Sequence, residues 1–395
     1  MRTIDEALVA VRAAAARLAP ERAPLADAFG RVVAEDAFAT ADSPPFTKAM
    51  MDGFAVRAAD WAGRPLQVAG ERAAAPGRPD ALPAGTAVRI MTGAELPDGA
   101  DTVVPVERCR EQGGAVAFGA PPVAGRHVLP QGAVAAKGSP VRAAGSLVTP
   151  RAAAALAEFG HAEVLVVRRP VVAFGSTGAE LVEPAAEPAA GQIRNSSGPM
   201  LDGLLRAWAC EPRPLGIARD DAEAIDRTIA AGLDADVLLL TGGVSAGRYD
   251  LVPDRLAAAG FDAAFHKVAI KPGKPLWFGV RQAGGRRTLA FGLPGNPVSS
   301  LVCAEVFVRP AVRLLAGLDA GPPVAGVRLA SEFQQRDDRT TYWPATLDGD
   351  SATPLDWRGS ADLVRVAAAD GWLVVPPGDA THAAGSTLPF HDATD

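Results

Sequence analysis

Apolar positions fall at helical spacing at the start of the chain, switch to short alternating runs, and then become solid apolar runs separated by amphipathic stretches. Residues 3–18 read as a helix: Thr3 stands where a cap is needed, Glu6 follows three residues on, and Leu8, Val9, Val11 and Leu18 form the apolar side. A second short helix is expected before Gly30. From Ser43 onward the texture is LQVAG, AVRIM, TVVPVE and AVAFG, broken by Pro and Gly, which predicts a β-rich insertion domain over 44–136. Residues 137–168 return to strand, turn and helix, with PRAAAALAEFG as the helix. With 1–43 they make a helical/strand linker layer around the insertion. Over 169–318 the strands VVAF, PLGIA, VLLL and LAFG alternate with helices near 198–209, 221–232, 251–259 and 297–316, the pattern of a doubly wound α/β sheet. Residues 319–395, with VRLA, WLVVP and STLPF between Gly, Pro and Thr, read as a small terminal β domain. The fold class is multidomain, α/β plus β.

At 395 residues the chain is long enough for roughly two to four domains. Hydrophobic residues make up 48% and charged residues 21%, which excludes a disordered chain. The formal net charge of -6 gives no global attraction to nucleic acid or to an anionic membrane. Any basic site must be local, and Lys267, Lys271 and Lys274 make such a cluster. Cys109, Cys210 and Cys303 lie far apart without CxxC spacing, so neither a disulfide framework nor a structural zinc site is indicated, and a reducing cytoplasm fits. The first twenty residues mix acids and arginines into an amphipathic pattern and lack a signal-peptide core. No run approaches the roughly 20 apolar residues of a membrane span. A cytoplasmic protein is expected, with no membrane and no nucleic acid as partner.

Three loops carry chemistry. TGGVSAGRYD follows DVLLL: Gly242, Gly243 and Gly247 let backbone approach a ligand, while Ser245 and Asp250 add a hydroxyl and a carboxylate. A turn alone explains the glycines equally well; Asp250 tips the reading toward a magnesium ion shared with a phosphate. KVAIKPGKP brings three lysines around a Pro-Gly turn set between apolar runs, so Lys271 and Lys274 are placed to clamp an oxyanion. In LPGNPVSS, Asn296 is a candidate helix cap with Pro297 at the first position, leaving the Val298 and Ser299 amides for an anion. Elsewhere Asp220 and Asp221 open a helix and need do no more than cap it, and Asp52-Gly53 alone would mean a hairpin. The five histidines have no ligand spacing. Without GxSxG, Walker or HExxH patterns, hydrolase and zinc-peptidase readings find no support.

Taken together and in this order, MDGFAV, IMTGAELPDGADTVVPVE, STGAEL, GQIRNSSGPML, LTGGVSAGRYD, KVAIKPGKPLWFG and LPGNPVSS resemble the molybdopterin molybdenumtransferases, the MoeA and gephyrin E-domain family, nearly end to end. The resemblance implies a homodimer whose subunits carry a MogA-like α/β domain, the β insertion, the linker layer and a C-terminal β-barrel domain, the N-terminal helix belonging either to the layer or against the α/β domain. It implies insertion of molybdate into adenylylated molybdopterin with release of AMP. By motif, Thr177, Gly178, Glu180, Gly242, Gly243, Ser245 and Gly247 would hold the pterin phosphate, with Pro294, Asn296 and Pro297 beside them. Asp250 and Glu180 would hold Mg2+, joined by Asp220. Lys267, Lys271 and Lys274 would neutralise phosphate and molybdate oxygens, and Pro275, Ser299 and Ser360 would complete the molybdate pocket. Asp52 and Thr92 would reach the site from the second subunit. The adenylyltransferase acting one step earlier and apo-molybdoenzymes are the implied transient partners. The chain departs from the family's pattern at Val134, Ala179, Asn195 and Pro344, where charged residues are usual. Those departures motivate an alternative, a non-catalytic paralogue serving as molybdopterin-binding chaperone or scaffold. The glycine loops taken alone would also permit an unrelated nucleotide- or sugar-phosphate enzyme.

Overall fold

A computed structural model describes residues 1–245, 250–321 and 325–393. The chain divides into two compact units, one made of Met1–Ala23, Ala28–Ala34 and Leu165–Asp395, the other of Pro24–Asp27 and Glu35–Val164.

The larger unit is built on a six-stranded sheet. Its order is Glu211–Ala218, Val171–Thr177, Val237–Thr241, Arg286–Leu293, Trp277–Ala283 and Asp262–His266. The first four strands are parallel, as the strand and helix alternation predicts, and the last two run antiparallel. These last two flank the lysine turn and carry no helix between them. Alternate residues face opposite sides of the sheet. Val172, Phe174, Val237, Leu239, Leu289 and Phe291 enter a core under the helix Ser197–Ala207 and the long helix that starts at Pro297. Ala173, Leu238, Leu240 and Ala290 enter the other core, under helices Ala222–Gly232 and Val252–Ala258. The sheet is therefore wound on both faces.

The N-terminal helix is Ile4–Ala14, shorter than the predicted 3–18. Its start is fixed by a capping box: Thr3 Oγ1 accepts the Glu6 N–H at 3.2 Å and Glu6 Oε2 accepts the Thr3 N–H at 2.9 Å. Ala7 and Val11 bury themselves in the first core, and Ala15 turns to extended backbone before Leu18 reaches the helix side. The expected helix over 297–316 is continuous in direction but carries a π-turn, Ala304–Val308, between Pro297–Cys303 and Arg309–Leu315. Pro310, which has no N–H for the preceding turn, follows that widened stretch.

In the C-terminal part of this unit, strands Ala325–Leu329, Thr340–Asp348, Ser351–Pro354, Gly371–Val375 and Thr387–Asp392 close on themselves, because Thr340–Asp348 pairs with both Ser351–Pro354 and Gly371–Val375. The two-residue strand Ile270–Lys271 adds to the edge of Thr340–Asp348. The lysine turn is thereby tied to the barrel. A second tie is the buried Glu305, which accepts the indole N–H of Trp372 at 2.5 Å. Its burial raises the carboxyl to about 7 despite that hydrogen bond and Arg309.

The smaller unit carries a six-stranded sheet in the order Thr102–Pro105, Gly53–Val56, Thr86–Ile90, Leu66–Arg72, Ala115–Phe118 and Cys109–Gln112. Helix Pro150–Glu158, capped by Thr149, and the pair Ala37–Phe38 with Pro140–Arg142 also belong to it. The short helix expected before Gly30 is a single 3-10 turn, Leu25–Asp27. Gly53 is not a hairpin glycine as its Asp-Gly context suggests. It opens a strand where a Cβ would collide with the Val104 carbonyl oxygen, so glycine is required by the close approach of the neighbouring strand.

Candidate functional site

Two of the hollows in the larger unit adjoin each other. The first, about 680 Å³, lies at the carboxyl ends of Val171–Thr177, Val237–Thr241 and Arg286–Leu293, where ligands collect in parallel sheets. Thr177, Gly178 and Glu180 line it from the first strand end. Gly242, Gly243, Ser245 and Asp250 line it from the second, and Pro294, Asn296 and Pro297 from the third. Gly247 lies outside the described residues. The loop over the second strand must begin with glycine: Gly242 has φ +89°, and a Cβ there would stand 2.5 Å from the Thr177 carbonyl oxygen. The Gly242 N–H donates to Leu293 across the sheet at 3.0 Å. His266 Nε2 donates to the Val244 carbonyl at 2.8 Å, so a histidine without ligand spacing serves as a tether for this loop.

Asp220 and Asp221 divide the two roles their position allows. Asp221 caps the helix by accepting the Ala224 N–H at 2.7 Å. Asp220 lines the first hollow and accepts the Ala179 N–H at 3.0 Å, holding the STGAEL loop. Asn195 also keeps an acceptor where the family usually has an acid. Its Oδ1 takes the Ser176 hydroxyl at 3.1 Å and the Gly198 N–H at 3.1 Å, and the Thr241 hydroxyl donates to Ser176 at 3.0 Å. This buried chain links two strand ends to the start of a helix beneath the hollow.

The second hollow, about 520 Å³, shares Pro275 and Ser299 with the first. Lys271, Lys274 and Arg339 line it together with Ser360, Trp343 and Trp357, and among the described residues no acid does. Behind it, Asp337 accepts Lys271 Nζ at 2.9 Å and Arg339 Nε at 3.0 Å. Burial alone would raise Asp337, but the hydrogen bonds from Lys271 and Arg339 outweigh it and bring the carboxyl down to about 2. Asp338 touches Arg339 at 3.5 Å from the solvent side. Lys274 is exposed and makes no ion pair among the described residues.

Three details differ from the sequence expectations. Lys267 lines neither hollow: it stands in the left-handed conformation at φ +76°, its N–H on Leu276 and its carbonyl on Arg2, where the chain leaves strand Asp262–His266. Asn296 is the cap residue by position, yet its side chain makes no capping hydrogen bond. The Val298 amide is not free for an anion, because it donates to the Ser360 carbonyl at 3.1 Å. That bond stoppers the helix end with a loop of the barrel and sets Ser360 between the two halves of the site. The sequence reading also missed Arg339, Asp337, Trp343 and Trp357. All but Trp357 stand in or directly before DDRTTYWPA, whose arginine was the available signal.

In the smaller unit, Asp52 Oδ1 accepts both the N–H and the hydroxyl of Thr92, at 2.7 and 2.6 Å. Those bonds lower its pKa and hold an exposed carboxylate in one orientation. Val134 is largely exposed and Pro344 sits in the barrel opposite Trp372.

A divalent cation finds a suitable donor set in the first hollow. Glu180, Asp220 and Asp250 line it without converging into a three-ligand cluster among the described residues. Magnesium is commonly held by one or two carboxylates together with substrate phosphates. Such a set fits an ion that arrives with a phosphate ligand and does not fit a preformed protein cage.

Comparison with known proteins places these features in a family. Residues 2–160 match the MoeA N-terminal region (domain I and II), residues 173–314 a probable molybdopterin binding domain, and residues 326–392 the MoeA C-terminal region (domain IV). The chain is 36% identical over 384 residues to a molybdopterin molybdenumtransferase of Synechococcus elongatus, covering 94% of both chains. It is 34% identical over 409 aligned positions to molybdopterin molybdenumtransferase 2 of Mycobacterium tuberculosis, covering all of both. Among solved structures, the molybdopterin biosynthesis MoeA protein from Pyrococcus horikosii superimposes with a TM-score of 0.83 at 31% identity over 98% of both chains.

Proposed function

The chain belongs to the MoeA family of molybdopterin molybdenumtransferases, enzymes of molybdenum cofactor biosynthesis, and from that premise we propose how its two hollows divide the work. The first holds the adenylylated phosphate end of molybdopterin, the second holds molybdate, and AMP is released as the metal is inserted. What carries this reading is the junction at Pro275 and Ser299: a hollow with three carboxylates and Arg194 on its walls runs into one whose charged lining is Lys271, Lys274 and Arg339. A phosphoanhydride that arrives with a divalent cation would suit the former, and a tetrahedral dianion the latter.

In the first hollow, Asp250 and Glu180 would hold the magnesium, and Asp220 keeps the Gly178–Glu180 loop in place. Magnesium supplies charge neutralisation for the anhydride oxygens. Thr177, Gly242, Gly243 and Ser245 receive the phosphates at the strand ends. In the second, Lys274, Arg339 and Ser360 bind molybdate, and Lys271 is held in its direction by Asp337. The reaction balances without an external reductant. The two sulfurs of the pterin dithiol bond the metal, their protons leave with one molybdate oxygen as water, and one water adds across the anhydride to give a phosphate monoester and AMP. None of the three cysteines lines either hollow; Cys210 and Cys303 are buried, and burial pushes Cys109 up to about 11 and Cys210 up to about 12. Asp52 and Thr92, held to each other in the smaller unit, complete the site from a second copy of the chain.

Purified protein given adenylylated molybdopterin, magnesium and molybdate is expected to release AMP only when molybdate is present, with cofactor that reconstitutes an apo-molybdoenzyme. Pterin binding with neither product would overturn the insertase reading and leave a non-catalytic relative.

A further inference from the structure

The second hollow is larger than its proposed anion needs. A water occupies about 30 Å³, so the four oxygens of a tetrahedral anion account for roughly 120 Å³, against a hollow of about 520 Å³. The remaining wall is aromatic. Trp343 and Trp357 meet edge to face, with ring centroids 5.2 Å apart and planes at 90°. Trp343 is locked by its own indole N–H on the Leu355 carbonyl at 2.9 Å and by Phe333, whose ring stands edge-on 5.0 Å away. It is only partly buried, so a rigid indole surface borders the hollow. Trp357 is 7% exposed, and its Nε1 is buried with no hydrogen-bond partner. Trp357 therefore backs the Trp343 ring from within the wall and fixes its orientation.

Resting on the reading of this hollow as the metal-insertion end, we infer that Trp343 and Trp357 form the subsite for the pterin ring system. A fused bicyclic heterocycle is flat enough to stack on the Trp343 indole, which Trp357 holds from behind edge to face. The cationic corner made by Lys274 and Arg339 borders the same hollow, so a pterin stacked on Trp343 presents its dithiol toward the anion. Neither tryptophan touches the reacting atoms; both are positioning residues. The signal lies in this chain's own residues, since nothing about an oxyanion pocket calls for two indoles.

The test is calorimetric titration of the full-length protein with free pterin, with and without saturating molybdate. Pterin is expected to bind in both conditions. Trp343→Ala should weaken it about tenfold or more, the size expected for loss of one stacking platform. Trp343→Phe should retain most of the affinity, which separates stacking from folding, and Trp357→Phe should lose a smaller factor because Trp357 only supports the Trp343 ring from behind. Pterin affinity unchanged in Trp343→Ala, pterin and molybdate excluding each other, or no pterin binding by the wild-type protein would each overturn the inference. Molybdate-dependent AMP release by wild-type protein is read in parallel. Its absence sinks the insertase reading while the pterin titration still stands, and its presence without pterin binding sinks the subsite alone.

Discussion

The two hollows meet at Pro275 and Ser299 but are assembled by opposite means. The first is backbone-built. Its walls are strand ends and glycine turns, each continuous in sequence, and its carboxylates sit within a few residues of those turns. The second is side-chain-built: Lys271 and Lys274 come from a turn, Arg339 and Trp343 from a barrel strand and the turn before it, and Trp357 and Ser360 from a barrel loop. Backbone sites tolerate substitution of nearby side chains, because the amides and the strand ends stay where they are. Asn195 illustrates this, an amide that keeps the acceptor geometry of an acid. A side-chain site has no such reserve.

Breaking one hollow at a time gives the largest effects. Asp250→Ala and Lys274→Ala should each lower AMP release by about 100-fold or more, as loss of a charge partner at a reacting phosphoryl or metal oxyanion does. A mixed dimer of Asp52→Ala and Asp250→Ala subunits should recover about half the wild-type rate, from one intact site. Recovery no greater than either parent would remove Asp52 from a shared site.

The second prediction concerns the helix whose first turn borders both hollows. Glu305 is buried on that helix against Trp372, and its folded pKa is raised to about 7. The proton therefore stabilises the folded state: the contribution is complete below about 4.5, declines as pH rises, and levels off above about 7. The span is on the order of 3 kcal/mol. Glu305→Gln, which keeps an acceptor for Trp372, should flatten that decline in denaturant unfolding between pH 5 and 8. An unchanged slope would contradict the burial of an ionisable carboxyl there.

Gly242→Ala tests the backbone-built hollow through stability. A positive φ and a Cβ pressed on the Thr177 carbonyl should cost about 2 kcal/mol, read as a lower unfolding midpoint together with weaker AMP binding. The smallest effect is expected at Lys271→Met. Asp337 is depressed to about 2 by Lys271 and Arg339, so its share of stability is present above the unfolded value near 3.9 and is lost as pH falls through about 2. With Lys271 gone the folded value rises, so that loss should be smaller and complete at a higher pH, while stability at pH 7 changes by less than about 1 kcal/mol.

The same contrast decides what was readable in the sequence. Thr3 with Glu6, the runs VVAF, VLLL and LAFG, and the loops after them are local patterns, and the structure builds helix, strands and first hollow from them. Asp221 and Asp220 could be named but not assigned, because only the fold shows which one faces the cap and which the hollow. LWFG after the lysine turn reads as a core strand, but its antiparallel place in the sheet and the strand Asp262–His266 do not, because neither is joined through a helix. The pairing of Lys271 with Asp337, and the meeting of both with Trp357, depends on the barrel closing against the lysine turn. No spacing along the chain encodes that closure. Lys267 errs the other way: it clusters with the other lysines in sequence, yet a left-handed residue at a strand exit separates it from both hollows.

The division of labour between the hollows is tested most directly by equilibrium titration of AMP with magnesium, and separately of molybdate, into Asp250→Ala and Lys274→Ala. Asp250→Ala is expected to lose AMP and keep molybdate, and Lys274→Ala to lose molybdate and keep AMP. Loss of both ligands in both folded variants, or the reverse assignment, would contradict it.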